Sequence, residues 1–267
     1  MPESRPVLAD SVTRLGDSAV GRVIVTGSHG GVYAAYLARR AHCRAAIFND
    51  AGVGLDDAGI GGLKWLEVQG MAAAAVDFAS ADIGNAAQMF TKGRLSHVNA
   101  TARKLGLMPG MSCEAAAVML SAADMPQGPC PDIREGRKVL MPPGAACRLI
   151  LVDSAGLIRP EDSGQVIVTG SHGALFGGDA ANALKVDAML ALFNDAGGGG
   201  GTTRLPVLDA RGIAAVTVAA MSARIGDARS TYQDGIISAT NATARRFGAK
   251  IGLPARHLIR TALAVPD

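Results

Sequence analysis

The chain has 267 residues, 49% of them hydrophobic, with 34 glycines and only 4% aromatics. That balance describes one large or two ordinary globular domains whose strands and helices approach closely, and it excludes a disordered or fibrous chain. The net charge of +3 is small and the basic residues are scattered among acidic ones, so nucleic acid is not an expected partner.

The opening residues, MPESRPVLADS, have no charged stretch followed by an apolar run, so no signal peptide is expected. The longest apolar stretches, such as Met71 to Val76, are too short to span a bilayer, so no membrane is expected either. Cys43, Cys113, Cys130 and Cys147 show no C-x-x-C spacing and read as reduced thiols, which places the protein in the cytoplasm.

Val7 to Ala9 is a short apolar run ending at Asp10-Ser11, and Val23 to Thr26 is a β-branched strand that Gly27 stops. Gly30 to His42 follows with helical spacing, Val32, Ala35, Tyr36 and Arg39 dividing an apolar face from a polar one. Ala45 to Phe48 reads as a buried strand, Leu63 to Gln69 as a helix, and Met71 to Phe78 as a strand closed by Ser80. Helices are expected around Ala86 to Thr91 and His97 to Leu105, and Ser112 caps another through Glu114, Ala117 and Leu120. Met125 to Ala146 holds five prolines and no sustained period, and reads as a linker. Pro254 to Leu263 is a shorter counterpart of the Ser112 helix; periodicity leaves open whether these two helices pack on their own half or cross over.

Much of this order is written twice. VIVTGSHG at Val23 recurs at Val166, 143 residues on, and Ile47-Phe48-Asn49-Asp50-Ala51-Gly52 is answered by Leu192-Phe193-Asn194-Asp195-Ala196-Gly197. Asp10-Ser11 matches Asp153-Ser154, the Ser80 to Asn85 block matches Ser222 to Asp227, and Asn99 to Arg103 matches Asn241 to Arg245. The expected fold class is therefore α/β, a tandem duplication of a Rossmann-like parallel-sheet unit with the copies in a pseudo-two-fold arrangement. Residues 1–124 are the first repeat, 125–146 the linker and 147–267 the second repeat. Short, wholly apolar strands alternating with helices predict an open, doubly wound sheet.

Polar residues collect at the carboxyl ends of these strands, where ligands bind in open α/β sheets. The glycine-rich Gly27-Ser28-His29-Gly30-Gly31 lacks the P-loop lysine, the G-x-G-x-x-G spacing and the G-x-S-x-G serine. The expected catalytic set is His29 as general base, Asp50 as its orienter and Ser80 or water as nucleophile, with His172, Asp195 and Ser222 in the second repeat. Ser28, Gly30, Gly31, Asn49, Asp57, Ser171, Gly173, Asn194 and Arg224 are the expected substrate-binding residues, the glycine amides forming an oxyanion hole and Arg224 clamping a carboxylate. Each also has a bland reading: His29 stiffening its turn, Asn49 and Asp50 as ordinary turn residues, Arg224 paired with Asp227. The five glycines from Gly197 to Gly201 form either a mobile flap or a close backbone approach.

These residues suggest a hydrolase of an amide or related carbonyl compound, or a lyase or isomerase at the same site. The alternative from another class is a non-catalytic protein holding an anionic metabolite. A small-molecule ligand is the expected partner, no cofactor or metal is expected, and the many small apolar residues suit a homo-oligomer.

Overall fold

The computed structural model describes residues 5–264, so Met1 to Ser4 of the opening stretch lie outside the described residues. The chain divides into two compact units. The first runs up to Val53 and from Asp57 to Arg134; the second runs from Glu135 onward and also takes in Gly54–Asp56.

The first unit holds β1 (Val7–Ala9), β2 (Val23–His29), α1 (Val32–Arg40), β3 (Ala45–Asn49), α2 (Gly61–Val68), β4 (Ala72–Val76), α3 (Ala86–Lys92), β5 (Leu95–Val98), α4 (Ala100–Lys104) and α5 (Cys113–Leu120). Its five strands lie in the order β1-β2-β3-β4-β5, parallel except for the last. The inner strands β3 and β4 are wholly buried, which is why AAIFN and AAAAV contain no charged residue.

Both faces of the sheet are covered, but not by double winding. Val12, Ala19, α1 and α2 pack on one face, against Ile24, Ala46, Phe48, Ala73 and Ala75. α3, α4 and α5 cover the other, against Val23, Val25, Ala45, Ile47, Ala72 and Ala74. The parallel strand order never reverses, so the crevice that a doubly wound sheet opens at its switch point does not form here.

The second unit holds β6 (Arg137–Leu140), β7 (Leu149–Val152), β8 (Val166–His172), β9 (Leu190–Asn194), α6 (Arg204–Ala210), β10 (Ala214–Val218), α7 (Ala228–Gln233), β11 (Ile237–Thr240), α8 (Ala242–Arg246) and α9 (Ala255–Ala262). Its six strands run β11-β10-β9-β8-β7-β6, with antiparallel pairs at both edges. The helix that follows β2 in the first unit has no counterpart after β8. Two short 3₁₀ turns, Phe176–Gly178 and Ala180–Asn182, stand there, because Gly177 and Gly178 both take positive φ and no helical period survives.

The terminal helices stay at home: α5 packs on β2 and β3, and α9 on α7. The stretch expected to be a linker is built into both units. Arg39 donates to Gln127 O and Gly128 O, and Tyr36 to Asp132 Oδ1, while β6 pairs with β7.

Candidate functional site

Glycine at position 27 does not stop β2. The strand continues through Ser28 to His29, which pairs with Asn49, while Val25 pairs with Ile47. The residues between, Thr26 to Ser28, therefore bulge from the ladder with β3. Against this bulge lies the segment that leaves β4, residues 77–85, which crosses the carboxyl ends of the strands like a strap.

The repeated polar residues hold that strap. Asn49 is fully buried, donates from Nδ2 to Ala81 O at 3.0 Å and accepts from Ala51 N at Oδ1. Asp50 Oδ1 accepts from Gly52 N and Phe78 N, 2.9 and 3.0 Å. Gly84 N donates to Gly27 O, Asn85 caps α3, and Asp10 Oδ1 accepts from Ala86 N at 2.9 Å. Ser80 Oγ donates to Asp77 O and accepts from Arg94 N, and Ser28 Oγ accepts from Val12 N.

The second unit makes the same bonds. Asn194 Nδ2 donates to Ala223 O, Asp195 Oδ1 accepts from Ala220 N, Gly226 N donates to Gly170 O and Asp153 Oδ1 accepts from Ala228 N. Ser222 Oγ joins Ala219 O to Ile236 N, and Ser171 Oγ accepts from Ala155 N. A shared scaffold of hydrogen bonds, buried at Asn49 and Asn194, thus accounts for most of the repeated letters.

Among the described residues no hydrogen bond joins His29 to Asp50 or to Ser80. The amides of Gly30 and Gly31 are also committed, the first to Asn49 O at 3.0 Å, the second to His29 Nδ1 at 3.1 Å. Gly173 N donates likewise to Asn194 O, and Ala174 N to His172 Nδ1 at 3.2 Å. Within the five-glycine run Gly201 is pressed on Asp195 O and Ala196 O, Gly197 and Gly198 take positive φ, and a Cβ on Gly199 would meet nothing. Arg224 gives Nε and Nη2 to Asp227, the cap of α7, and Nη1 to Asp56 at 3.0 Å. Asp57 stands in the same loop as Asp56, both at positive φ. Among the described residues no group of three or more His, Cys, Asp or Glu could hold a metal ion.

His29 is what this accounting leaves over. Its Nδ1 lone pair accepts from Gly31, so the ring proton resides on Nε2. Burial lowers its pKa from 6.5 to about 4, and the ring is neutral at physiological pH. The remaining ring nitrogen is therefore a donor, Nε2–H.

His29 and Glu135 should respond to acid in opposite senses. The unfolded chain protonates His29 near 6.5 and the folded one only near 4, so its stabilisation is complete above 6.5 and lost as pH falls through 4. The loss amounts to about 2–3 kcal/mol. In the second unit, burial first and Asp153 next raise Glu135 from 4.5 to about 7, against a hydrogen bond from Ser154. Its stabilisation is complete below 4.5 and lost as pH rises through 7, about 1 kcal/mol once solvent screening is allowed for. Amide exchange at about pH 5 and about pH 7.5 checks both signs: acid should loosen β2 and β3 and tighten β7 and β8. Glu135→Gln should remove that share of the second unit's response.

Sequence reasoning passed over Arg204. It is 4% exposed, and its backbone N–H donates to Gly173 O at 2.8 Å, directly behind the second histidine segment. Gly62 makes the same backbone bond to Gly30 O in the first unit. A Cβ on Gly62 would sit 2.6 Å from Ala35 Cβ of α1. The signal was therefore an exchange of glycine for arginine at matched positions, readable once the missing helix is known.

Comparison with protein families, with characterised proteins and with solved structures returns no match. No described helix is long and apolar enough to cross a membrane.

Proposed function

We propose that this chain is a small-molecule-binding α/β protein, arisen by tandem duplication, in which a strand-end histidine offers its ligand a neutral Nε2–H donor. The observation that carries this reading is the Gly31 N–H to His29 Nδ1 bond, joined to the burial that keeps the ring uncharged. The Ala174 to His172 bond supports the same tautomer in the second unit. Such a donor recognises a carbonyl or carboxylate oxygen, and an anionic metabolite fits best. Matched hydrogen bonds in the two units support the duplication, and four free thiols support a reducing, cytoplasmic setting.

One observation favours an enzymatic version. A neutral imidazole N–H polarises a carbonyl without delivering a full proton, as in enzymes that use a depressed-pKa histidine as electrophile. A hydrolase, lyase or isomerase acting on a carbonyl compound could use His29 in that role. Service as general base would require the proton to leave Nε2 and the Gly31 bond to break.

Ligand-observed NMR with a panel of small carboxylates and amides tests the proposal. Hits should bind the wild-type chain and be lost from the His29→Ala, His172→Ala double variant while its amide spectrum stays folded. Hits that bind both proteins alike would refute the histidine site. Chemical conversion of a hit, absent in the double variant, would select the enzymatic version.

A further inference from the structure

Arg204 carries a buried positive charge that no carboxylate among the described residues neutralises. Its Nε donates to Ala174 O at 3.0 Å, its Nη1 to Ala183 O at 2.8 Å, and the guanidinium lies 5.0 Å from the Phe193 ring centroid. Among the described residues no carboxylate lies within ion-pair distance of it, and Nη2 makes no protein hydrogen bond. The first-turn position in α6 adds to the difficulty, because a helix start carries positive partial charge of its own.

An isolated buried cation is costly unless an anion accompanies it. Arg137 meets that requirement with a carboxylate: it grips the fully buried Asp162 with both Nη atoms, at 3.0 and 2.9 Å. Arg39, the buried arginine of the first unit, also has carbonyl partners and, among the described residues, no ion pair, but it spends its donors on Gln127 and Gly128 of the 125–134 stretch. Arg204 instead lies beside the His172 segment, at the backbone position where the first unit has Gly62 packed against Ala35 of α1. Burial lowers its pKa to about 10, so it stays charged at neutral pH.

We propose that the second unit binds the oxyanion of a small metabolite on the remaining Nη donors of Arg204, and that the first unit, with Gly62 at the matching place, does not. Two carbonyls and an aromatic face fix the guanidinium, so little order is lost when the anion arrives. The inference rests on the strand-end edge being the ligand side of the sheet, as in the preceding proposal, and it names the copy and the charge of the ligand. Carboxylate and phosphate share the required chemistry.

The test titrates the full-length chain with acetate and, separately, with inorganic phosphate, keeping ionic strength constant with chloride. Amide shifts at Ala174, Ala183 and Phe193 should saturate for at least one probe with a Kd of about 1 mM or tighter, and their counterparts in the first unit should stay still. The preferred probe tells carboxylate from phosphate. Arg204→Met keeps most of the volume and should weaken binding about tenfold or more. Arg204→Gln should do the same if the methionine variant fails to fold. Wild-type shifts that never saturate with either probe, or that persist unchanged in a folded variant, would overturn the anion site. If carboxylate and amide hits still bind through the histidines in that case, the ligand-binding reading survives without Arg204.

Discussion

Truncating Asn99 to alanine should destabilise the first unit by about 4 kcal/mol, a large effect for one polar side chain. The residue is buried and uses every arm. Oδ1 accepts from Ala73 N at 3.1 Å and from Ala102 N at 2.9 Å, while Nδ2 donates to Leu63 O and Met71 O at 3.2 and 2.9 Å. One amide thus joins α2, the start of β4 and the first turn of α4. Alanine would strand buried backbone groups at about 1–3 kcal/mol each and remove a helix cap worth about 1. Asn241 repeats the pattern with Ala215, Ala244, Leu205 and Ile213. Urea unfolding of Asn99→Ala should show a lower midpoint at unchanged slope. A loss under about 1 kcal/mol would mean that water replaces the amide and that the residue is not a keystone.

Gly27→Ala should cost about 3 kcal/mol for a different reason. A Cβ there would lie 2.7 Å from Asn85 N, Asp10 O and Gly84 C, all backbone. None is the yielding tip of a side chain, so the strap must lift from the bulge in β2, weakening the Gly84 to Gly27 and Ala86 to Asp10 bonds together. Gly170 is enclosed in the same way by Asp153, Gly226 and Asp227. Hydrogen exchange should therefore accelerate across 77–86 in Gly27→Ala before global unfolding. Equal protection of that segment in variant and parent would show that the strap does not depend on the glycine.

These two residues show what the sequence revealed and what it concealed. The inner strands were legible because a strand buried on both faces must be continuously apolar, as in AAIFN and AAAAV. The helical spacing after His29 likewise matched α1. The antiparallel edge strands β5 and β6 were not, since LSHV and RKVL need satisfy only one neighbour and keep polar side chains. His97, expected in a helix, lies in β5 for that reason.

The candidate site was legible as a place but not as a set of roles. Repetition of Asn49, Asp50, Ser80 and their partners marked the strand-end edge, yet structural hydrogen bonds to a strap leave the same trace as a catalytic constellation. Only the destination of each N–H and lone pair separates them, and that is a three-dimensional property. Arg204 was concealed because it stands where the two units differ, in a region without the helix that follows β2 in the first unit.

The state of the His29 ring tests the account most directly. Long-range ¹H–¹⁵N correlation spectra of the full chain should show an unprotonated Nδ1 and a protonated Nε2, unchanged as pH falls from neutrality until close to 4. A ring that titrates near 6.5, or that carries its proton on Nδ1 at neutral pH, would contradict the neutral-donor account and return His29 to the role of a general base.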